Sequence, residues 1–140
     1  MTSVPISSTS SAVIDFTSLT TVAYTFPTSD PRFSAAPMYR GNNYQMLWSG
    51  NTNKDASVIY QGPNNELDGV LFDVLGDSSN PASFSNFIRS NVYSLFDVDM
   101  NASVIFQGPA NEPDLIFFEV FTHPENTSQF VNFIIRQQLP

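Results

Sequence analysis

The sequence predicts an α+β protein built from two tandem copies of one unit: polar loop, short strand, helix, second helix. Three observations lead there. Residues 55–75 (DASVIYQGPNNELDGVLFDVL) and 101–121 (NASVIFQGPANEPDLIFFEVF) are one segment written twice. The offset is 46 residues without a gap, and twelve of twenty-one positions are identical. Polar side chains alternate at the head of each copy, and each copy then passes from a β-like run to a helical stripe. A repeat of this size is a unit that buries its apolar face only against a neighbour.

The N-terminal 31 residues come first and differ from the rest. Fourteen are Ser or Thr, interrupted by Val4-Pro5-Ile6, Ala12-Val13-Ile14 and Thr21-Val22-Ala23-Tyr24. Alternation and β-branching favour extended structure over helix. Three readings stay open: a linker-like terminus, strands that dock on another chain, and a strand at the edge of the chain's own sheet. Pro37, Gly41, Asn42 and Asn43 then mark a loop. The expected division is an arm over 1–43, a first repeat over 44–90 and a second over 91–140.

Aromatic segments lead into both polar loops, Tyr44-Gln45-Met46-Leu47-Trp48 and Val92-Tyr93-Ser94-Leu95-Phe96. After each loop a short apolar run, Val58-Ile59-Tyr60 or Val104-Ile105-Phe106, reads as a strand, and the two are expected to pair with each other. Gln-Gly-Pro then makes a turn at 61–63 and at 107–109. Leu67, Val70, Leu71, Val74 and Leu75 fall on one helical face, as do Ile116, Phe117, Val120 and Phe121. Pro113 lies in a first turn, where its missing N–H costs little. Gly76 reads as a C′ residue. A second helix is expected in each copy. Asn80-Pro81 or Asn126 would cap it, and Phe84, Phe87 and Ile88, or Phe130, Phe133 and Ile134, would share its face. The two copies are expected to pack as a pseudo-twofold pair.

Composition narrows the chemistry. The net charge is −8 and the five Lys and Arg are scattered, which excludes a nucleic-acid binder. There is no cysteine, so no disulfide framework and no thiolate metal site. No apolar run is long enough to span a bilayer. Met1 is followed by Ser and Thr, and no signal peptide is visible. One histidine, His123, and no cysteine leave nucleophilic catalysis without its parts. His123 reads as a partner of a helix C-terminus. No phosphate-binding glycine loop occurs, and no enzymatic activity is expected. Asn101-Ala102-Ser103 and Asn126-Thr127-Ser128 match the N-glycosylation pattern. Trp48 and Tyr44 are candidates for stacking on a sugar, though a place in the strand entering the core accounts for them better.

The alternating loops carry the strongest chemical signal. Ca²⁺ takes six to eight oxygen ligands, supplied in an EF-hand loop from positions 1, 3, 5 and 7 and a later carboxylate. Here those positions hold Asn51, Asn53, Asp55 and Ser57, and in the second copy Asp97, Asp99, Asn101 and Ser103. The usual twelfth position falls on Gly62 and Gly108. Glu66 and Glu112 stand four residues later and are expected to reach the ion because Gln-Gly-Pro is an insertion; Asp68 and Asp114 are the fallback. Position 6 is Ala56 and Ala102, where the loop turns left-handed and Ala costs about 1 kcal/mol. Two Ca²⁺ sites are expected, with loop two the tighter because it holds more carboxylates.

The duplicated D-V-D-x-N-x-x-V pattern, followed by an amphipathic helix, resembles a dockerin-type, EF-hand-like calcium repeat. With Q-G-P-x-N-E and H-P-E-N after it, residues 47–140 resemble the duplicated modules of secreted, Bacteroidetes-like bacterial surface proteins. The resemblance implies an extracellular setting in which such loops stay filled with calcium. The function expected on this basis is a calcium-stabilised structural module of a surface filament or adhesive polymer, self-associating through its arm or joined to another surface protein. A dockerin-like interaction module and a carbohydrate-binding adhesin are the alternatives.

Overall fold

The computed structural model describes residues 14–136, and the chain divides into two compact units, one ending at Trp48 and the other spanning Ser49–Ile135. It is a small mixed α/β protein with two helices and short antiparallel strands.

In the first unit, β1 (Tyr39–Arg40) pairs with β2 (Gln45–Met46), and the Gly41 N–H donates to Tyr44 O across the turn. Gln45 is buried and ties down the preceding chain. Its backbone N–H donates to Thr17 O, and its Nε2 donates to Ser18 O and Thr21 O at 2.8 and 2.7 Å. Residues 15–21 are a run of turns, with the Asp15 carboxylate accepting from the Thr17 N–H and hydroxyl. They are not the extended strand the Ser/Thr-rich composition suggests. Asp15 and Ser18 fold the local backbone back through side-chain hydrogen bonds, an option these residue types offer in competition with strand. Of the other arm segments, Val4–Ile6 and Ala12–Val13 lie outside the described residues, and Thr21–Tyr24 contributes a single bridge at Ala23. Phe26, Met38 and Trp48 are buried, and the Arg32 guanidinium sits 3.8 Å over the Phe26 ring.

The second unit holds the repeat. Its elements are β3 (Ser57–Ile59), α1 (Glu66–Leu75), β4 (Ile88–Ser90), β5 (Ser103–Ile105), α2 (Glu112–Thr122) and β6 (Ile134–Arg136). The helices begin at Asn65 and Asn111, whose side chains accept from the N–H groups of Asp68 and Asp114, and Pro113 sits in the first turn of α2. Val70 and Val74 on α1, and Ile116 and Val120 on α2, are fully buried, as the stripe predicts. Gly76 caps α1 with φ −88°, so it does not make the left-handed turn expected of it.

Strand pairing departs from expectation. β3 and β5 do not pair with each other: β3 pairs with β6, and β4 pairs antiparallel with β5. Each copy's first strand therefore joins the other copy's last strand. The helices follow the same exchange, α1 packing on β5 and α2 on β3, with α1 and α2 in contact.

The second helix of each copy is absent from the described residues; turns lead directly into β4 and β6. Ser83 and Gln129 adopt left-handed φ of 52° and 54°, which ends any helix there. The periodicity of Phe84, Phe87 and Ile88 is instead that of a turn entering a strand, and Phe84 and Phe130 are exposed. Asn80 and Asn126 do not cap helices; they staple these turns. Asn80 Nδ2 donates to Val74 O and Phe84 O while its Oδ1 accepts from the Phe84 N–H, all at 2.9 Å. Asn126 makes the same three bonds to Val120 and Phe130.

Candidate metal centre

The two polar loops share one backbone design. Lys54 and Ala56 in loop one, and Met100 and Ala102 in loop two, all take left-handed φ between 59° and 67°. Ala56 and Ala102 thus adopt the conformation that position 6 of a calcium loop demands. Asx side chains hold the curl from within. The Asp55 N–H donates to Asn51 and Asn53 Oδ1, and the Ser57 N–H to Asp55 Oδ1. In loop two the Asn101 N–H donates to Asp97 and Asp99 Oδ1, the Ala102 N–H to Asp97 Oδ2, and the Ser103 N–H to Asn101 Oδ1.

The glutamates at the helix starts turn inward. Glu66 and Glu112 are 0% and 1% exposed, although each is the first residue of its helix. The Gln-Gly-Pro turn makes this possible: Gly62 and Gly108 have φ of 143° and 146°, a backbone region closed to side-chain-bearing residues. Asp68 and Asp114 are exposed and tied to the N-caps, accepting from Asn65 and Asn111 Nδ2.

Loop two brings three carboxylates together. One oxygen from each of Asp97, Asp99 and Glu112 lies within 4.8 Å of the others. Ligands about 2.4 Å from a shared calcium stand at most about 5 Å apart, so this spacing fits a single hard cation. Glu112 Oε2 accepts from the Ile105 N–H at 2.6 Å, while its buried Oε1 has no hydrogen-bond partner. Burial pushes the Glu112 carboxyl up to about 7, with Asp99 and Asp97 adding repulsion. An all-oxygen, anionic set with a buried, unpartnered oxygen is suited to Ca²⁺ and poorly suited to soft metals. Asp97 also lines a groove of about 520 Å³ beside Tyr93 and Met100.

Loop one assembles differently. Glu66 Oε2 accepts from the Thr52 N–H at 2.8 Å, the Thr52 hydroxyl at 2.9 Å and the Asn53 N–H at 3.3 Å. Burial raises the Glu66 carboxyl, and the Thr52 hydrogen bonds oppose that shift. Asn53 Nδ2 donates to Asn64 O. Thr52 is a partner the alternating pattern does not reveal, because it occupies an even position between two expected ligands. The contrast with Val98, at the same place in copy two, is the signal that could have found it.

The other candidates fall away from the site. His123 caps α2 and is buried, its Nδ1 accepting from the Glu125 N–H and its ring lying 5.1 Å from Phe133. Asn126 is buried with its amide engaged in the turn, so it is not a glycan acceptor in the folded chain. Trp48 is 4% exposed and donates from Nε1 to Ala36 O, so it offers no face to a sugar; Tyr44 remains half exposed. Among the described residues no helix is long and apolar enough to cross a membrane. Comparison with known family models, curated proteins and solved structures found no match for the chain.

Proposed function

We propose that the chain is an extracellular structural module whose fold is stapled by calcium bound in its repeated loop pattern. The observation that carries this reading is the meeting of Asp97, Asp99 and Glu112, with a Glu112 oxygen buried and unpartnered. A buried carboxylate beside two others is costly unless a cation neutralises it. Calcium bound to the folded form alone stabilises by RT ln(1 + [L]/Kd), about 3 kcal/mol at a hundredfold excess over Kd. Asn101 and Ser103 complete the set in copy two, and Asn51, Asn53, Asp55, Ser57 and Glu66 stand at the same positions of the pattern in copy one.

The exchanged strands and the reciprocal seating of α1 on β5 and α2 on β3 support a pseudo-twofold pairing of the copies. In that arrangement an ion beneath one helix steadies elements of both copies. A Ser/Thr-rich N-terminus with short β-branched runs suits donation of a strand to a neighbouring subunit, giving a surface filament or adhesive polymer.

Light scattering on the full-length chain in millimolar calcium tests the assembly. The polymer reading expects a growing homogeneous species, lost when residues 1–13 are removed. A monomer with and without those residues would refute it. Calorimetric calcium titration of Asp97→Ala and Asp55→Ala tests the site, with the larger loss expected from Asp97→Ala.

A further inference from the structure

The copies diverge at the second position of their loops, and the divergence falls on the buried glutamate. Thr52 directs its N–H at Glu66 Oε2, its hydroxyl stands 2.9 Å from Oε2 and 3.1 Å from the Glu66 carbonyl, and the Asn53 N–H adds a further donor. A carboxylate oxygen has about two acceptor sites, so Oε2 is saturated. In copy two the residue 46 places on is Val98, equally buried and without a hydroxyl. Glu112 Oε2 accepts from the Ile105 N–H, with no side-chain hydroxyl among its donors, and its carboxylate lies against Asp97 and Asp99. The residues on either side change in the same sense. Asn51 and Asn53 are neutral where Asp97 and Asp99 are charged. Glu66 Oε1 is also without a hydrogen-bond partner. However, the only other carboxylate of loop one is Asp55, so loop one offers two carboxylates where loop two offers three.

Resting on the calcium reading above, we propose that the repeat is functionally split. Loop two is the single cation site, and loop one is the same turn closed by protein hydrogen bonds. Thr52 is the residue that makes the difference, supplying from the chain the positive hydrogen-bonding field that an ion supplies in copy two. Three carboxylates within ligand distance repel, and a cation between them relieves that repulsion. One carboxylate met by three donors does not. The two copies then share a shape while only one responds to calcium.

Isothermal calorimetry of the full-length chain with CaCl₂ tests this, on the wild type and on two variants whose folding is checked by circular dichroism. The wild type is expected to bind one ion. Val98→Thr, which puts a hydroxyl at the position Thr52 holds in copy one, is expected to weaken that site about tenfold or more. The triple change Asn51→Asp, Thr52→Val, Asn53→Asp writes the loop-two pattern into loop one and is expected to add a second site. Two ions on the wild type would overturn the split and leave the calcium reading standing. No binding by the wild type would overturn the calcium reading itself. A folded triple variant that still binds one ion would overturn the role given to Thr52. The wild-type stoichiometry decides the main point even if a variant does not fold.

Discussion

Arg89 places its Nη1 against both carboxylate oxygens of Asp73, at 2.8 and 2.7 Å, and its Nε against Asp77 Oδ2 at 2.8 Å. All three side chains are partly exposed, and the bridge ties the C-terminal end of α1 to β4. Arg89→Ala leaves two carboxylates together without their cation. The expected loss is about 1–3 kcal/mol, read by urea unfolding. In copy two the positions equivalent to Asp73, Asp77 and Arg89 are Glu119, His123 and Ile135, and Ile135 is fully buried. Ile135→Arg is therefore expected to destabilise rather than to recreate the bridge.

Glu119, lacking an arginine, turns to Ser49. Its Oε1 accepts from the Ser49 hydroxyl at 2.6 Å, and its buried Oε2 has no hydrogen-bond partner. Burial raises its carboxyl to about 6, against 4.5 for an ordinary glutamate, with the Ser49 hydrogen bonds opposing. A carboxyl raised in the fold binds its proton more tightly there than in the unfolded chain. Its contribution is complete below about pH 4.5 and is lost as pH rises through about 6, to a maximum of about 2 kcal/mol. Glu119→Gln keeps an acceptor for Ser49 and carries no charge. Denaturation of this variant between pH 5 and 8 is expected to show it gaining on the wild type as pH rises.

Asn80 and Asn126 each make three hydrogen bonds from a buried amide. Alanine at either position orphans a helix carbonyl and a turn N–H. The expected cost is about 2–4 kcal/mol each, nearly equal for the two copies. Aspartate cannot donate to the two carbonyls, so Asn80→Asp is expected to lose nearly as much. Chemical denaturation of the single variants checks both.

Gly69 on α1 sits against Phe96; a Cβ there would stand 3.0 Å from the Phe96 ring and 3.0 Å from Thr52 Oγ1. Copy two reverses the sizes, with Leu115 at the place of Gly69 and Gly50 at the place of Phe96. Gly50, at φ 93°, lies against Ile116 and Val58. Gly69→Ala alone is therefore expected to destabilise, although alanine is the better helix former by about 1 kcal/mol. Pairing it with Phe96→Leu is expected to restore part of the loss. A double-mutant cycle measures the coupling.

What the sequence revealed follows from which interactions are local. The stripe of Val70, Val74, Ile116 and Val120 appears at helical spacing because burial imposes it on consecutive turns. The left-handed Ala56 and Ala102 follow from the loop pattern itself. The N-caps Asn65 and Asn111 were legible in principle, each standing directly before the helix it caps. The turns at 80–87 and 126–133 were misread because Phe84, Phe87 and Ile88 satisfy a helical face by spacing alone. What decides the matter is left-handed backbone at Ser83 and Gln129, which no hydrophobic pattern records. Strand exchange was invisible for a different reason. β3 and β5 have the same core, Ser-Val-Ile, and nothing in it chooses between pairing with each other and pairing with β6 and β4. In the site, Asp97, Asp99 and Glu112 were found by spacing. The Thr52 bonds to Glu66, across fourteen residues, depend on tertiary placement.

The most direct measurement is the melting temperature of the full-length chain in 1 mM CaCl₂ and in EDTA, repeated on Asp97→Asn/Asp99→Asn. The account requires a clear rise with calcium in the wild type, on the order of 10 °C for about 3 kcal/mol in a domain of this size. The double variant should show little or none. A wild-type melt that is the same with calcium and with EDTA would contradict it.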